Sequence, residues 1–582
     1  MSFKGRLPLL NRYLRPQWHR LVLLSLFLII SVGLQIGNPQ ILRFFIDTAT
    51  HGGALSLLLG AAALFLGLGL FQQGIGIVMA YLSGNLAWST TNQMRADIVQ
   101  HCLSLDLSFH NARTPGELIE RTDEDVSALN SLLSTFLVQI LINLLLLVGI
   151  IVVLFLQVWI LGLALALYSL LVLLVIRSTR GAMGPAWGAV WQAKAELHGF
   201  VGEHVSGVAD IRSSGAIPYV MRRFYEARRQ VFRAYWRAHT ISTTISGGTD
   251  VLLIVGTVGA FVFAALLSQQ EVISLGMVYV VVTYTQLLSN PLQNIMDQFY
   301  DLQQANAALT RLQELFALQT HVPDGPGVAF PEGPLAVQFD DVSFAYASDV
   351  PVLEHISFTV KPGSVLGILG RTGSGKTTLT RLLFRFYDPT AGTIRLGEHA
   401  LKDARIVELR QRIGLVTQDV QLFHASVRDN LTFFDRSITD ERIIAALNEV
   451  NLGTWYANLP GGLDTIIAAQ TGEEVGLSAG EAQLLAFARV FLHQPAVVVL
   501  DEASSRLDPA TERLIEQALD RLFAGRTGII IAHRLATIQR ADTILVLEGG
   551  TIREYGEREQ LLRDPASRLN QLLQIGSEEV LA

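Results

Sequence analysis

The sequence predicts an all-α transmembrane domain of six helices with long cytosolic extensions, followed by an α/β P-loop domain. Three observations carry that prediction. Of 582 residues, 50% are hydrophobic and only 16% charged, and the mean hydropathy is +0.38; an ordinary soluble chain carries about a quarter charged residues. The apolar residues gather into segments of about the 20 residues that a helix needs to cross hydrocarbon. In the second half, Gly370-Arg371-Thr372-Gly373-Ser374-Gly375-Lys376-Thr377 sits between an apolar run ending at Leu369 and a helical run starting near Leu379.

Six segments are placed at 21–46, 55–82, 133–156, 159–176, 247–268 and 272–292. No charged residue occurs between Ser131 and Ile176, which is too long for one crossing, so two helices are expected to turn near Gln157-Val158-Trp159. Lys4, Arg6, Arg12, Arg15 and Arg20 precede the first segment; Arg95, Arg113 and Arg121 lie between the second and third. Arg177, Arg180, Lys194, Arg212, Arg222 and Arg223 lie between the fourth and fifth, and Arg311 follows the sixth. That bias predicts a multi-pass protein of the cell membrane, with a lipid bilayer around it and both termini cytosolic. The N-terminus lacks the short apolar core and small-residue cleavage site of a secretory signal, so the first helix is expected to remain as an anchor.

The segments between spans on the cytosolic side are poor in Gly and Pro and helical in pattern, so they are expected to project beyond the bilayer. His321 to Pro334 then concentrates turn formers and predicts a linker, giving domains 1–320 and 335–582 around a linker at 321–334. Beyond it, short β-rich runs at 337–344, 364–369, 413–416, 497–500, 528–532 and 543–547 alternate with helical ones. This is the pattern of a nucleotide-binding α/β domain. The net charge of −7 gives no reason to expect a nucleic-acid partner, and one cysteine, Cys102, excludes an internal disulfide.

The glycine-rich turn is a phosphate cradle. Its backbone N–H groups and the helix N-terminus face polyphosphate, Lys376 reaches the β- and γ-phosphates, and Thr377 offers a hydroxyl to Mg²⁺. Thr378 is grouped with this nucleotide-contacting set. Val497 to Leu500 is an apolar strand ending in Asp501-Glu502. Asp501 is expected to hold Mg²⁺ through water and Glu502 to orient or deprotonate the attacking water; the alternative is a solvated turn or a helix cap. His533, after Ile529-Ile530-Ile531-Ala532, is positioned to bond the γ-phosphate, with a purely structural role as its rival. Gln418, after Ile413 to Thr417, offers a neutral amide that can ligate Mg²⁺.

Leu477-Ser478-Ala479-Gly480-Glu481 resembles the signature of ATP-binding-cassette proteins, usually Leu-Ser-Gly-Gly-Gln, and lies shortly before the Asp501-Glu502 strand as in that family. The resemblance covers the whole chain. Phe109 to Leu118, with Asp125-Val126, looks like a type I exporter half-transporter whose membrane domain is fused ahead of an α/β P-loop ATPase domain. It implies ATP and Mg²⁺ as cofactors, Tyr346 stacked on adenine, Gln418 as coupling glutamine, Asp508 across the ATPase dimer and His533 as switch histidine. Tyr346 has a rival reading as a strand aromatic in the core.

The resemblance also implies a second half-transporter chain, because Ser478 and Gly480 of one signature cap the ATP bound to the other chain. Transmission would run through cytosolic-loop helices near Asn111 to Glu117 and Ser213 to Tyr219, meeting the ATPase around Thr471 to Gly476. Two departures stand out. Ala479 replaces a glycine and Glu481 replaces the glutamine, bringing a Cβ and a negative charge toward a polyanion, whereas Glu502 and the cradle are intact. The expectation is therefore a heterodimer with one fast and one slow ATP site, exporting a hydrophobic or amphipathic substrate such as a drug, lipid or peptide by alternating access. The alternatives are a homodimeric lipid or drug exporter, tolerated variation in the signature, and an ATP-gated regulatory subunit. Polar residues in or beside the spans are Gln35, Asn38, Gln139, Asn143, Asp250 and Asn294; of these Asp250 is either a cargo-facing charge or a partner contact.

Overall fold

The computed structural model describes residues 7–346, 350–417, 420–467, 477–501, 509–531 and 538–574. The chain divides into two compact units, one of Met1–Ser104 with Arg113–Leu318 and one of Leu105–Ala112 with Gln319–Ala582.

The first unit is helical. A short α1 (Leu7–Leu14) precedes α2 (Trp18–Thr50) and α3 (Leu55–Ser104); α5 (Pro115–Ser131) follows α4 (Leu107–Asn111), which belongs to the other unit. A π-helical turn, Leu132–Phe136, joins α5 to α6 (Leu137–Gln157); then come α7 (Trp159–Ser206), α8 (Val208–Ser213), α9 (Ile217–Gln269) and α10 (Leu275–Ala317). Among the described residues five helical runs are long and apolar enough to cross a membrane: Asn11–Thr50, Leu55–Ser104, Pro115–Gln157, Trp159–Thr179 and Ile217–Gln269. The sixth, α10, contributes the apolar stretch Leu275–Ser289. The uncharged stretch from Ser131 does break at Val158, between α6 and α7, where the expected turn was placed.

The helices outlast their apolar segments. At 1.5 Å per residue the 50 residues of α3 and the 53 of α9 run about 75 and 80 Å, more than twice the ~30 Å of hydrocarbon. Each of these helices therefore extends well beyond the hydrocarbon. A half-buried ion pair joins α5 to α10. Asp125 on α5 is 2% exposed and accepts from Arg311 Nε of α10 at 3.0 and 3.1 Å. In the apolar region, Gln139 donates to Asn143 at 3.3 Å, and Asp250 lies on an exposed position of α9.

The second unit contains two sheets round a shared frame. A four-stranded antiparallel sheet runs in the order β2 (Pro351–Val360), β1 (Val337–Ala345), β4 (Ala391–Leu396), β5 (His399–Ala400). A six-stranded sheet runs β12 (Thr551–Glu557), β11 (Thr543–Glu548), β3 (Val365–Leu369), β10 (Thr527–Ile531), β9 (Val497–Asp501), β6 (Ile413–Val416). Its strands are parallel except for β12 at the edge. A parallel sheet covered on both faces reads as continuous apolar runs, and every residue of β3 and β10 is buried. Helix α11 (Lys376–Leu383) follows β3; α12 (Ile406–Arg412), α13 (Val427–Thr432), α14 (Asp440–Glu449) and α15 (Gly453–Ala457) precede α16 (Ala479–His493), and α17 (Pro509–Phe523) follows β9. A small β7–β8 pair, Ala425–Ser426 with Ile466–Ile467, lies between α12 and α16.

Candidate functional site

The cradle forms where β3, buried between β11 and β10, runs into α11. Three glycines have left-handed backbone there, Gly370 (φ +154°), Gly373 (+84°) and Gly375 (+106°), which only glycine adopts without strain. A Cβ at Gly370 would collide with the Leu547 carbonyl oxygen of β11, and one at Gly375 would stand 2.6 Å from Leu353 Cδ2. Gly375 is the N-cap of α11 and has no side chain to cap it, so the first-turn N–H groups stay open.

Lys376, the first residue of α11, is 6% exposed and donates from Nζ to Gly370 O at 2.5 Å and Arg371 O at 3.2 Å. Burial pushes its pKa below the usual lysine range, while Asp501 pulls it the other way. Ser374 Oγ is buried without a hydrogen-bond partner; Arg371, Thr372 and Gly373 are exposed on the loop, and Thr377 is exposed in the first turn of α11. A buried ammonium held only by carbonyls, an orphan hydroxyl and an uncapped helix start form a donor set that fits a polyphosphate. Among the described residues no cluster of three or more His, Cys, Asp or Glu could hold a metal by itself. Asp501 closes β9, in register with Ile531 at the end of β10.

Tyr346 follows β1 and is 45% exposed, its ring edge-on to Phe344 and to Tyr387, with centroids 4.9 and 5.2 Å away. Its hydroxyl lies 3.0 Å from Thr378 Oγ1 and accepts from Arg381 Nη1 at 3.1 Å. Thr378 is thus buried against Tyr346 and holds that ring beside the start of α11. The ring is half-exposed, unlike that of the buried Phe344, and the Arg381 guanidinium lies over it, 5.9 Å from its centroid.

At the signature, Ser478 is the N-cap of α16 and Gly480 is buried in its first turn. Ser478 and Glu481 form a reciprocal capping box. The Glu481 carboxylate accepts from Ser478 N and from Ser478 Oγ, both at 2.8 Å, and Glu481 N donates to Ser478 Oγ at 3.2 Å. Ala479 is exposed beside them. The charge that the sequence marked as a departure is turned back onto the serine.

Gln418, Glu502, Asp508, His533 and the stretch Thr471 to Gly476 lie outside the described residues. Their surroundings are described in part. Arg489 of α16 donates to Asn430 O at 2.7 Å and to Gln421 O at 3.0 and 3.1 Å, tying α16 to the segment that follows Gln418. Asn430, fully buried, accepts from Phe423 N and donates to Phe423 O, both at 2.8 Å.

Sequence reasoning missed a further set in this unit. Asp106 caps α4, accepting from Ser108 N at 3.1 Å and Phe109 N at 3.3 Å, and also from His321 N at 2.6 Å and Thr320 Oγ1 at 3.4 Å. Burial opposes ionisation of Asp106, but Ser108, His321 and Phe109 outweigh it and hold the carboxyl down to about 2. Asn111 at the end of α4 donates to Tyr387 Oη at 2.9 Å. Burial raises the Tyr387 phenol, and Asn111 draws it back.

A glycine cradle on a parallel sheet, in a chain whose other half is a bundle of membrane-crossing helices, defines a membrane-embedded P-loop ATPase. Comparison with known proteins narrows that class. The family description "ABC transporter transmembrane region" matches residues 21–292, and "ABC transporter" matches 353–505. An uncharacterised ABC transporter ATP-binding protein of Bacillus subtilis is 30% identical over 96% of this chain and 92% of its own length. An ATP-dependent lipid A-core flippase of Alcanivorax borkumensis is 30% identical over 94% of each chain, and a fatty acid ABC transporter of Mycobacterium bovis is 32% identical over 81% of this chain and 74% of its own. The solved structure of a bacterial Atm1-family ABC exporter with ATP bound matches with a TM-score of 0.82 at 25% identity, covering 97% of this chain and 99% of that one. The chain belongs to the ABC transporter family, as a half-transporter of the type I exporter class. It is a multi-pass membrane protein with an ATP-binding domain, an ATP-driven translocase of a class whose half-transporters act as dimers.

Proposed function

We propose that this chain is one subunit of a heterodimeric exporter that moves a hydrophobic or amphipathic substrate, with lipids and fatty acids as the leading class, out of the cytosol by alternating access. The similarity to a lipid A-core flippase and to a fatty acid transporter supports the cargo class. The arginine and lysine bias supports the cell membrane, with the ATPase unit on the cytosolic side. Bound MgATP supplies the phosphoryl group and a charge-neutralising metal. Lys376 gives up its two carbonyl partners to pair with β- and γ-phosphate oxygens, and the N–H groups from Gly373 to Thr377 donate to the same phosphates. Thr377, Gln418 and Asp501 ligate Mg²⁺, directly or through water. Glu502 takes the proton of the attacking water, His533 donates to the γ-phosphate and Tyr346 stacks on adenine. Ser478 and Gly480 face the nucleotide bound to the second chain.

One observation carries the asymmetric reading. Ser478 N and Oγ, the donors a phosphate would need, already serve the chain's own Glu481. A phosphate approaching this signature must displace a carboxylate and stand beside its charge. In this chain's own cradle Lys376 Nζ is held by two carbonyl oxygens, not by a carboxylate. The fast site therefore pairs this cradle with the partner's signature, and the slow site pairs this signature with the partner's cradle. The test is ATPase activity and oligomeric state of the purified chain, alone and with candidate partner chains. A fully active dimer of this chain alone, with two equivalent ATP sites, overturns the heterodimer and leaves the signature changes as tolerated variation.

A further inference from the structure

Protein interiors leave few voids larger than a water molecule. The membrane unit has a half-open one of about 260 Å³ between α6, α7, α9 and α10, close to the α6–α7 turn. Its wall includes Leu154, Leu165, Ala260 and Phe263, all apolar. Two hydroxyls reach it, and both are already used: Tyr168 Oη donates to Leu252 O at 3.3 Å and Thr285 Oγ1 to Val281 O at 2.8 Å. The wall thus offers no free donor. A water needs two to four polar partners and stays out of such a space, whereas a dry apolar cavity of about 150 Å³ already takes up benzene.

Two glycines of α9 shape the space differently. A Cβ at Gly256 would collide with the Tyr168 ring, so that glycine lets the tyrosine in. Gly259 is exposed at the mouth, and a Cβ there would meet nothing within 4 Å, so a larger side chain has room to grow. Both glycines lie on the wall of the space, on a helix long and apolar enough to cross the bilayer.

We propose that this cavity binds the hydrocarbon tail of a single-chain amphiphile, a fatty acyl or alkyl chain drawn from the surrounding bilayer, with its headgroup left outside. The observations favour a tail over a polar drug because no polar group on the wall is available for recognition, and burial of apolar area alone must supply the affinity. The proposal deepens the reading of an amphipathic cargo and rests on it only for the role in transport. Binding is measured without nucleotide, so a failed transport reading and a failed tail site give different results.

The experiment uses the full chain in phosphatidylcholine nanodiscs with palmitate bearing a photoreactive diazirine in its tail, and mass-spectrometric mapping of the labelled positions. Labelling is expected to concentrate on Leu165, Ala260 and Phe263. A neutral alkyl maltoside of similar tail length should compete as well as unlabelled palmitate. Gly259→Leu, which grows into the void, is expected to cut the labelling about tenfold with an unchanged or higher thermal midpoint. Val281→Ala, which enlarges the cavity, should keep it. Even labelling of all lipid-facing positions, undiminished labelling in Gly259→Leu, or competition that requires a carboxylate would overturn the site. If Gly259→Leu does not fold, loss of labelling in a folded Val281→Ala serves as the overturning result.

Discussion

The starts of α11 and α16 are the same physical object treated in opposite ways. Each is a helix N-terminus with orphan N–H groups and a positive dipole end. At α11 the cap is Gly375, with no side chain, and the nearest cation, Lys376, rests on two carbonyls. At α16 the cap is Ser478, closed by Glu481 in a reciprocal box. The first start is held open for an anion from outside; the second already has an anion of its own. What differs is the local sequence at the cap, Gly375 and Lys376 at one start and Ser478 and Glu481 at the other. The lesson is that a phosphate site is defined by the absence of an internal rival as much as by the presence of donors.

The largest effect should come from Glu502→Gln. Removing the proposed base while leaving Lys376, Thr377 and Asp501 in place is expected to lower turnover by roughly 10²–10⁴-fold with ATP still bound. Steady-state hydrolysis near the native rate in that variant would remove Glu502 from the mechanism. Lys376→Ala tests the open end of the comparison directly. A charge-assisted contact to phosphate contributes about 1.5–3 kcal/mol, so nucleotide affinity should drop by roughly tenfold to a hundredfold. Unchanged affinity, measured by calorimetry or nucleotide fluorescence, would mean that the open helix start is not the phosphate site. Because burial lowers the Lys376 pKa and phosphate raises it, ATP binding should also take up a proton above neutral pH, read as a buffer-dependent binding enthalpy.

A third helix start sharpens the contrast. Asp106 closes α4 as Glu481 closes α16, but it also reaches His321 and Thr320 of the linker. Its carboxyl is held at about 2, below the ordinary 3.8. A depressed acid contributes stability that is complete above about pH 4 and lost as pH falls toward 2. That contribution is about 2 kcal/mol, from just under two pKa units at 1.36 kcal/mol each. Asp106→Asn should weaken the attachment of α4 by a similar amount and flatten the acid limb of unfolding between pH 4 and 2. An unaltered acid limb would show that the cap is incidental.

These particulars also show what the sequence makes legible. The strands β3, β6, β9, β10 and β11 were read to within a residue because each is a buried apolar run bounded by polar or turn residues. Edge strand β12 escaped, since Thr551–Glu557 never buries a full face. The bundle was read from its apolar segments and the extensions from inter-span sequence poor in Gly and Pro, and α3 and α9 do continue as helix past their apolar stretches. The segment starting at Asn111 was expected to meet the ATPase around Thr471 to Gly476, which lies outside the described residues; its contact with Tyr387, 276 positions away, has no local signature. The capping box at Ser478 is a different case. Its Ser-x-x-Glu pattern was in plain view, and attention to the charge of Glu481 hid the hydrogen bonds that the same carboxylate makes.

The smallest predicted effect therefore separates charge from geometry at α16. Gln at position 481 can still accept from Ser478, so Glu481→Gln should preserve the cap and change folding stability by less than about 1 kcal/mol. What it removes is the negative charge beside the donors. In the proposed heterodimer, that change should tighten nucleotide trapping at the slow site severalfold and leave the fast site alone, because the proposal builds the fast site from this chain's cradle and the partner's signature. Adding Ala479→Gly should extend the gain by removing a Cβ from the approach. Ser478→Ala is the control, since it breaks the box and also removes the hydroxyl that a phosphate would use, so it should loosen the slow site where Glu481→Gln tightens it. Equal responses of the two sites to Glu481→Gln, followed by trapped nucleotide per dimer, would end the distinction between an open and a self-occupied helix start.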